Sequence, residues 1–251
     1  MTTPVADPIP VAIGRDVDFV SAHADDERLM KGWVIAHHVL AQRPVHLILA
    51  TDGSTTSALG MLNGEAASGW WGGYHNPERE GYQPLTPQDI SDARDREYIS
   101  SGRQFGLPLE RIHLNKEHRG PDLNVDQATA LLLRRREQSP DAGVYTHHWD
   151  DIDDSHAALG EALLELHLAS PLDWPDVRWM VRPEQVGTTA GATQYGIPGQ
   201  YADDARLLMT RGTRCYAAWA PSQGRYAVGY HSVGLSLFAK IMERPNYFVK
   251  P

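Results

Sequence analysis

The chain predicts an α/β fold: a Rossmann-like, mostly parallel sheet flanked by helices, with a functional site at the carboxyl ends of the strands. Three observations predict it. Short runs that are apolar throughout, as in strands covered on both faces, alternate with stretches of helical period. The first strand, helix and strand follow within about 35 residues, the spacing of a right-handed βαβ unit. Polar clusters then stand directly behind three of the strands.

In chain order, residues 1–14 carry three prolines and read as an extended leader. "VDFVSA" (17–22) is the first buried strand. A helical period runs from Asp26 to Gln42 through Leu29, Met30, Trp33, Val34, Ile35, Val39 and Leu40, with Pro44 beyond it. "VHLILAT" (45–51) is the second strand, closed by the turn signal Asp52-Gly53. Residues 53–85 are rich in Gly, Ser and Asn yet hold Trp70, Trp71, Tyr74 and His75. A loop of that length in a compact domain points to function, and we read it as an active-site loop. Thr86 to Asp89 has the spacing of a capping box and opens a helix to about Phe105. Strands follow at 111–114, 143–147 and 177–181, and helices at 124–137, 155–169, 203–219 and 226–243. No internal repeat or low-complexity tract interrupts this order, so 1–251 reads as one domain.

Composition bounds the function. At 251 residues, 41% of them hydrophobic, the chain can bury a sizeable core. A net charge of −9 argues against nucleic acid as a general partner. The single cysteine, Cys215, excludes an intramolecular disulfide framework. No window approaches the roughly 18 apolar residues of a membrane span, and no secretory signal is visible, so the expected location is the cytoplasm. A homo-oligomer is compatible with the sequence, though no feature demands one.

Ligand sites in open parallel sheets collect at the carboxyl ends of the strands. Three clusters fall there: His23 to Glu27, Thr51 to Thr56 with Ser54 as a candidate substrate contact, and His147 to His156. His23 and Asp26 are three apart around a strand-to-helix turn and could reach one cation; imidazole nitrogen with carboxylate oxygen suits Zn²⁺. A third ligand would come from elsewhere, and His156 at a helix start is on offer. Asp25, Asp26 and Glu27 equally suit a helix N-terminus that favours acids, and the acids of 150–154 a solvated turn; both readings stay open on local grounds.

"SAHADDE" (21–27) followed by "LATDG" (49–53) resembles the PIG-L/LmbE-like family of zinc-dependent N-deacetylases, whose first strand ends in an AHPDDE motif. The resemblance continues in order through Arg94, Glu97 and Phe105-Gly106, the segment ending at His156, and Arg214, Ala217, Ser222 and Gln223. It implies one Zn²⁺ per chain held by His23, Asp26 and His156, with Asp25 as general base. It implies an acylated amino-sugar conjugate as the small-molecule substrate and Arg94 as a substrate-binding arginine. Trp71 and Tyr74 of the long loop are candidates to stack on a sugar or aglycone. The sequence departs from the motif twice. Ala24 replaces its proline, and Asp153-Asp154-Ser155-His156 stands where the family has His-Pro-Asp-His. Asp153 thus occupies the place of the histidine that serves the oxyanion or the leaving-group proton. It could be a carboxylate in the metal shell instead, with His147, His148 or the late His231 as the donor. Two other readings follow: a metal- or sugar-binding homologue with impaired catalysis, and a zinc hydrolase of another amide or ester.

Overall fold

The computed structural model describes residues 15–115, 120–243 and 245–251; the leader expected at 1–14 lies outside them. Five strands fall where the apolar runs put them: β1 (Val17–Ser21), β2 (Val45–Leu49), β3 (Ile112–Leu114), β4 (Gly143–His147) and β5 (Val177–Val181). Two short ones the sequence did not announce, β6 (Thr193–Gln194) and, late in the chain, Tyr247–Val249, complete a sheet of seven. Its order is β3-β2-β1-β4-β5, parallel throughout, then the Tyr247–Val249 strand, antiparallel to β5, and last β6, antiparallel to that strand and so directed like the first five.

Successive side chains of a strand point to opposite faces. Phe19, Leu47 and Tyr145 therefore join one apolar layer, while Val20, Ile48 and Val144 join the other. That is why these runs are apolar at every position rather than alternating. The first layer is closed by α2 (Gly32–Leu40), α5 (Pro87–Gln104) and α8 (Ala202–Thr213), and the second by α6 (Val125–Gln138) and α7 (Asp154–Ala169). At Gly160 α7 lies so close to the end of β4 that a Cβ would stand 2.4 Å from the Trp149 amide nitrogen.

Local signals explain the helix boundaries. Thr86 and Asp89 form the expected capping box, and Asn124 with Gln127 forms a second. The helix expected over 26–42 is instead α1 (Asp26–Leu29) and α2, broken at Lys31. Lys31 is fully buried, its Nζ 3.0 Å from His147 Nε2 and 3.3 Å from Ser21 Oγ. The long helices expected at 203–219 and 226–243 are also broken. After α8 a short hairpin, β7 (Trp219–Ala220) and β8 (Arg225–Tyr226), turns at Gly224 in the left-handed region. Then α9 (Val228–Val233) and α10 (Leu235–Ile241) are parted by Gly234 (φ 83°), leaving β9 as the Tyr247–Val249 strand. The 53–85 loop holds α3 (Ala58–Leu62) and α4 (Pro77–Glu80).

His38, fully buried on α2 against Phe19 and Tyr145, carries a pH-dependent stability. Burial, helped by the cations of Arg43 and His37 and opposed by the Val34 carbonyl and Asp176, pushes its imidazole down to about 3. The folded state thus refuses a proton that the unfolded chain accepts near pH 6.5. The contribution is intact above about pH 6.5 and shrinks by roughly 1.4 kcal/mol per pH unit below it, until about pH 3. Urea midpoints of wild type and His38→Gln should converge as pH falls from 7 to 4.5. A constant gap would show that His38 titrates alike in both states.

Candidate metal centre

The turn after β1 and the segment after β4 meet because β1 and β4 are neighbours in the sheet. Asp26 is the hub. Its Oδ2 accepts the His23 amide at 2.7 Å and lies 3.2 Å from His156 Nε2, 3.4 Å from His147 Nε2 and 3.7 Å from His23 Nδ1. His23 Nδ1 is 3.2 Å from His156 Nε2. The three ligands expected from the sequence, His23, Asp26 and His156, thus present one donor atom each to a common point. Asp153 Oδ1 lies 3.9 Å from His156 Nε2, and its ligand atom falls within 4.8 Å of those of His23 and His156.

The field at that point favours positive charge. Burial alone would raise the Asp26 carboxyl, but the imidazoles of His156 and His147 outweigh it and hold Asp26 well below the carboxylate range. Burial would likewise lower His156, but the carboxylates of Asp26 and Asp151 carry it up to about 9. This is the field in which a divalent cation displaces protons from its ligands, and the nitrogen and oxygen donors suit one of the zinc type. The residues fit a metal.

Support for His156 comes from residues that sequence reasoning passed over. Asp151 Oδ2 stands 3.3 Å from His156 Nδ1, the carboxylate–imidazole pairing that orients metal-binding histidines. Arg182, just beyond β5, donates from Nε to Asp151 Oδ1 at 2.8 Å, and its terminal nitrogen lies 3.1 Å from His156 Nδ1. Lys31 donates to His147 Nε2, as does the Ala22 amide at 3.1 Å. His147 is fully buried and stacked on His156 with ring centroids 3.7 Å apart. The acid of Asp151 was visible in the sequence, but its partner was not. Arg182 stands alone behind a strand with no cluster to mark it.

Asp25 lines a cleft of about 490 Å³ together with His23, Asp26, His156, Asp153 and Arg182. Arg94 donates to Asp25 Oδ2 and to the Ala24 carbonyl, each at 3.1 Å. Burial disfavours its charge, yet Asp25 and Glu97 raise its basicity above that of an ordinary guanidinium. Gly53 makes this approach possible: it takes φ +63°, and a Cβ there would lie 2.6 Å from Arg94 Nε. Arg94 therefore lines the cleft with its fork engaged by the Asp25 turn. Glu27, the third acid, is fully buried and accepts from Ser101 and Tyr216, tying α1 to α5. The crowded acids of 25–27 thus face three ways: toward Arg94, toward the metal point and into the core.

The structure does not bring every expected residue to the cleft. His148 is buried on Trp149 and accepts the Asp150 amide. His147 is buried beneath His156. His231 bonds Ser68 and packs against Trp70 and His75. None of these three imidazoles lines the cleft, so the donor role expected of one of them lacks the geometry. Ser54 donates its amide to Asp52 in a turn whose neighbours Gly53, Thr55 and Thr56 line the cleft. Trp71 stacks on His75 and Trp219, and Tyr74 is 67% exposed; both lie outside the cleft.

None of the curated proteins compared with the chain matches it. Among solved structures, a triple mutant of a deacetylase of the teicoplanin biosynthetic pathway superposes with TM-score 0.57 at 14% identity, over 93% of this chain and 96% of that one. GalB, the 4-carboxy-2-hydroxymuconate hydratase of Pseudomonas putida KT2440, gives 0.52 at 13% identity, over 94% and 97%. The N,N'-diacetylchitobiose deacetylase of Pyrococcus horikoshii gives 0.50 at 16% identity, over 83% and 72%. At such identities these likenesses speak for the fold. Residues 19–167, which span the turn after β1, the segment after β4 and nearly all of α7, match the family PIG-L: GlcNAc-PI de-N-acetylase. A mostly parallel sheet, a His-Asp-His convergence at its carboxyl edge and a family match over more than half of the sequence lead to one conclusion: the chain belongs to the PIG-L (GlcNAc-PI de-N-acetylase) family of hydrolytic deacetylases.

Proposed function

We propose that the protein is a metal-dependent N-deacetylase that hydrolyses the amide of an acylated amino-sugar conjugate, with one Zn²⁺-type ion per chain. The observation that carries this reading is the convergence of His23, Asp26 and His156 on one point, with Asp25 beside them in the cleft wall. A divalent ion held there would polarise an amide carbonyl and acidify a water. The chain's own residues supply the rest. Asp25, oriented by Arg94, takes a proton from the attacking water and returns it to the leaving amine. Arg182 is the cleft-lining cation nearest the ligand pair and donates to the oxygen on which negative charge develops. Thr55, Thr56, Asp122 and Ser232 line the cleft with groups suited to sugar hydroxyls. No helix among the described residues is long and apolar enough to cross a membrane, in keeping with a substrate met in water.

Purified protein should carry about one divalent metal per chain and release acetate from N,N'-diacetylchitobiose or a larger N-acetylglucosamine conjugate. Chelation should abolish release and added metal restore it. Metal-loaded protein that frees no acyl group from any acylated amino sugar would overturn the substrate class. Protein that takes up no divalent ion would overturn the whole reading.

A further inference from the structure

We propose that Asp153 is a fourth protein donor to the metal, making a His₂Asp₂ site that favours cations taking five or six ligands over tetrahedral zinc. The inference rests on the metal-dependent reading above and concerns what this chain places where its motif departs from the family pattern.

The donor-atom separations argue for it. Bonds of about 2.0–2.2 Å to nitrogen and oxygen put neighbouring donors of one ion about 2.8–3.6 Å apart, from octahedral to tetrahedral angles. The observed separations are 3.2 Å for His23 to His156, 3.2 Å for Asp26 to His156, 3.7 Å for His23 to Asp26 and 3.9 Å for Asp153 to His156. Asp153 also offers a carboxylate oxygen within 4.8 Å of the donor atoms of both His23 and His156, two of the three expected ligands. Its backbone position is fixed: it is the N-cap of α7, with Oδ1 accepting the His156 amide at 3.1 Å. An ionised carboxylate has about four lone-pair sites over two oxygens, so capping and ligation are compatible.

The consequence concerns the open position. A catalytic zinc keeps three protein ligands and one position for the reactant. With Asp153 added, a four-coordinate ion would be closed by protein alone. An ion that accepts five or six ligands keeps room, and a second carboxylate moves the donor set toward the harder cations. The departure at Asp153 then changes which metal works, rather than merely removing a histidine.

Cobalt(II) tests this through affinity and visible absorption, both independent of turnover. Asp153→Ser and Asp153→Asn keep a good N-cap, so the helix start survives both. Wild type should bind Co²⁺ with the weak visible bands of a five- or six-coordinate ion. Asp153→Ser should lose about 10- to 100-fold in affinity, by analogy with the loss of a supporting group, and shift the bands; Asp153→Asn should fall between. Asp25→Asn, outside the donor set, should change neither readout. Unchanged affinity and bands in Asp153→Ser would overturn the proposal and leave Asp153 a helix cap. Intense tetrahedral bands in wild type would overturn the preference for higher coordination. Wild type that binds no Co²⁺, Zn²⁺ or Mn²⁺ would instead sink the metal-dependent reading on which the proposal stands.

Discussion

Asp25→Asn is expected to keep its metal and its fold while kcat falls about 100- to 10,000-fold, the usual contribution of a positioned general base. The amide preserves the shape of the side chain and still has an oxygen for Arg94, which donates to Asp25 Oδ2 at 3.1 Å. It cannot accept the proton. The proposed metal ligands are untouched, because Asp25 belongs to neither group whose donor atoms lie within 4.8 Å of one another, His23 with Asp153 and His156 or Asp26 with His147 and His156. Metal content, far-ultraviolet dichroism and acetate release from one preparation check the three parts together. A variant that keeps more than about a tenth of wild-type kcat, well above that range, would remove Asp25 from proton transfer and leave it as a mount for Arg94. A variant that loses its metal would place Asp25 among the ligands.

The largest stability effect is expected at Asp18, on the central strand. Asp18 and Arg135 are both buried, and the guanidinium binds the carboxylate through two bonds of 3.0 Å each. Breaking such a pair from one side leaves a buried charge without its partner and costs about 3–5 kcal/mol. Asp18→Leu should therefore lower the urea midpoint sharply at unchanged m-value. Asp18→Leu with Arg135→Met should recover much of the loss, since replacing both charges with apolar groups is often neutral. Equal destabilisation by the single and the double variant would show that packing around β1, rather than the stranded charge, sets the cost. Because β1 leads directly to His23, this pair also fixes the strand from which the metal centre is hung.

Most of the frame was legible because its signals are local. Buried strands are apolar on both faces, and the two layers around Phe19 and Val20 show why. The Thr86 cap needs only side chains three residues apart. What escaped depends on partners distant in sequence. β6 and β9 are two and three residues long, too short for a periodicity, and exist because β9 pairs with β5 and β6 pairs with β9. The break at Lys31 puts its side chain on Ser21 and His147 and brings Gly32 against Met209, partners that no local pattern announces. At the site, His23, Asp25, Asp26 and His156 meet as their motifs suggested. Asp151 and Arg182 act on His156 from two strand ends, and nothing in either local sequence names the other. The packing of the aromatic loop depends on distant partners too: Trp71 lies against His75 and Trp219.

The placement of β1 between β2 and β4 has a consequence for how the protein assembles. β2 follows β1 after one helical excursion, but Ala22 and His147, whose contact closes the other side, are 125 residues apart. His23 and His156 are 133 apart. Long-range parallel pairing is slow, because the closure entropy is spent before the contacts form. During synthesis the first half of the centre waits, half-paired, until α7 has left the ribosome. A cation that bridges the two halves grips the chain across its widest closure, so its binding energy opposes unfolding of the whole sheet, by about 2.7 kcal/mol at a hundred times its Kd. An ion held there would be a clasp on the fold as well as a participant in the chemistry, so starving the protein of metal should shorten its lifetime as well as abolish its activity.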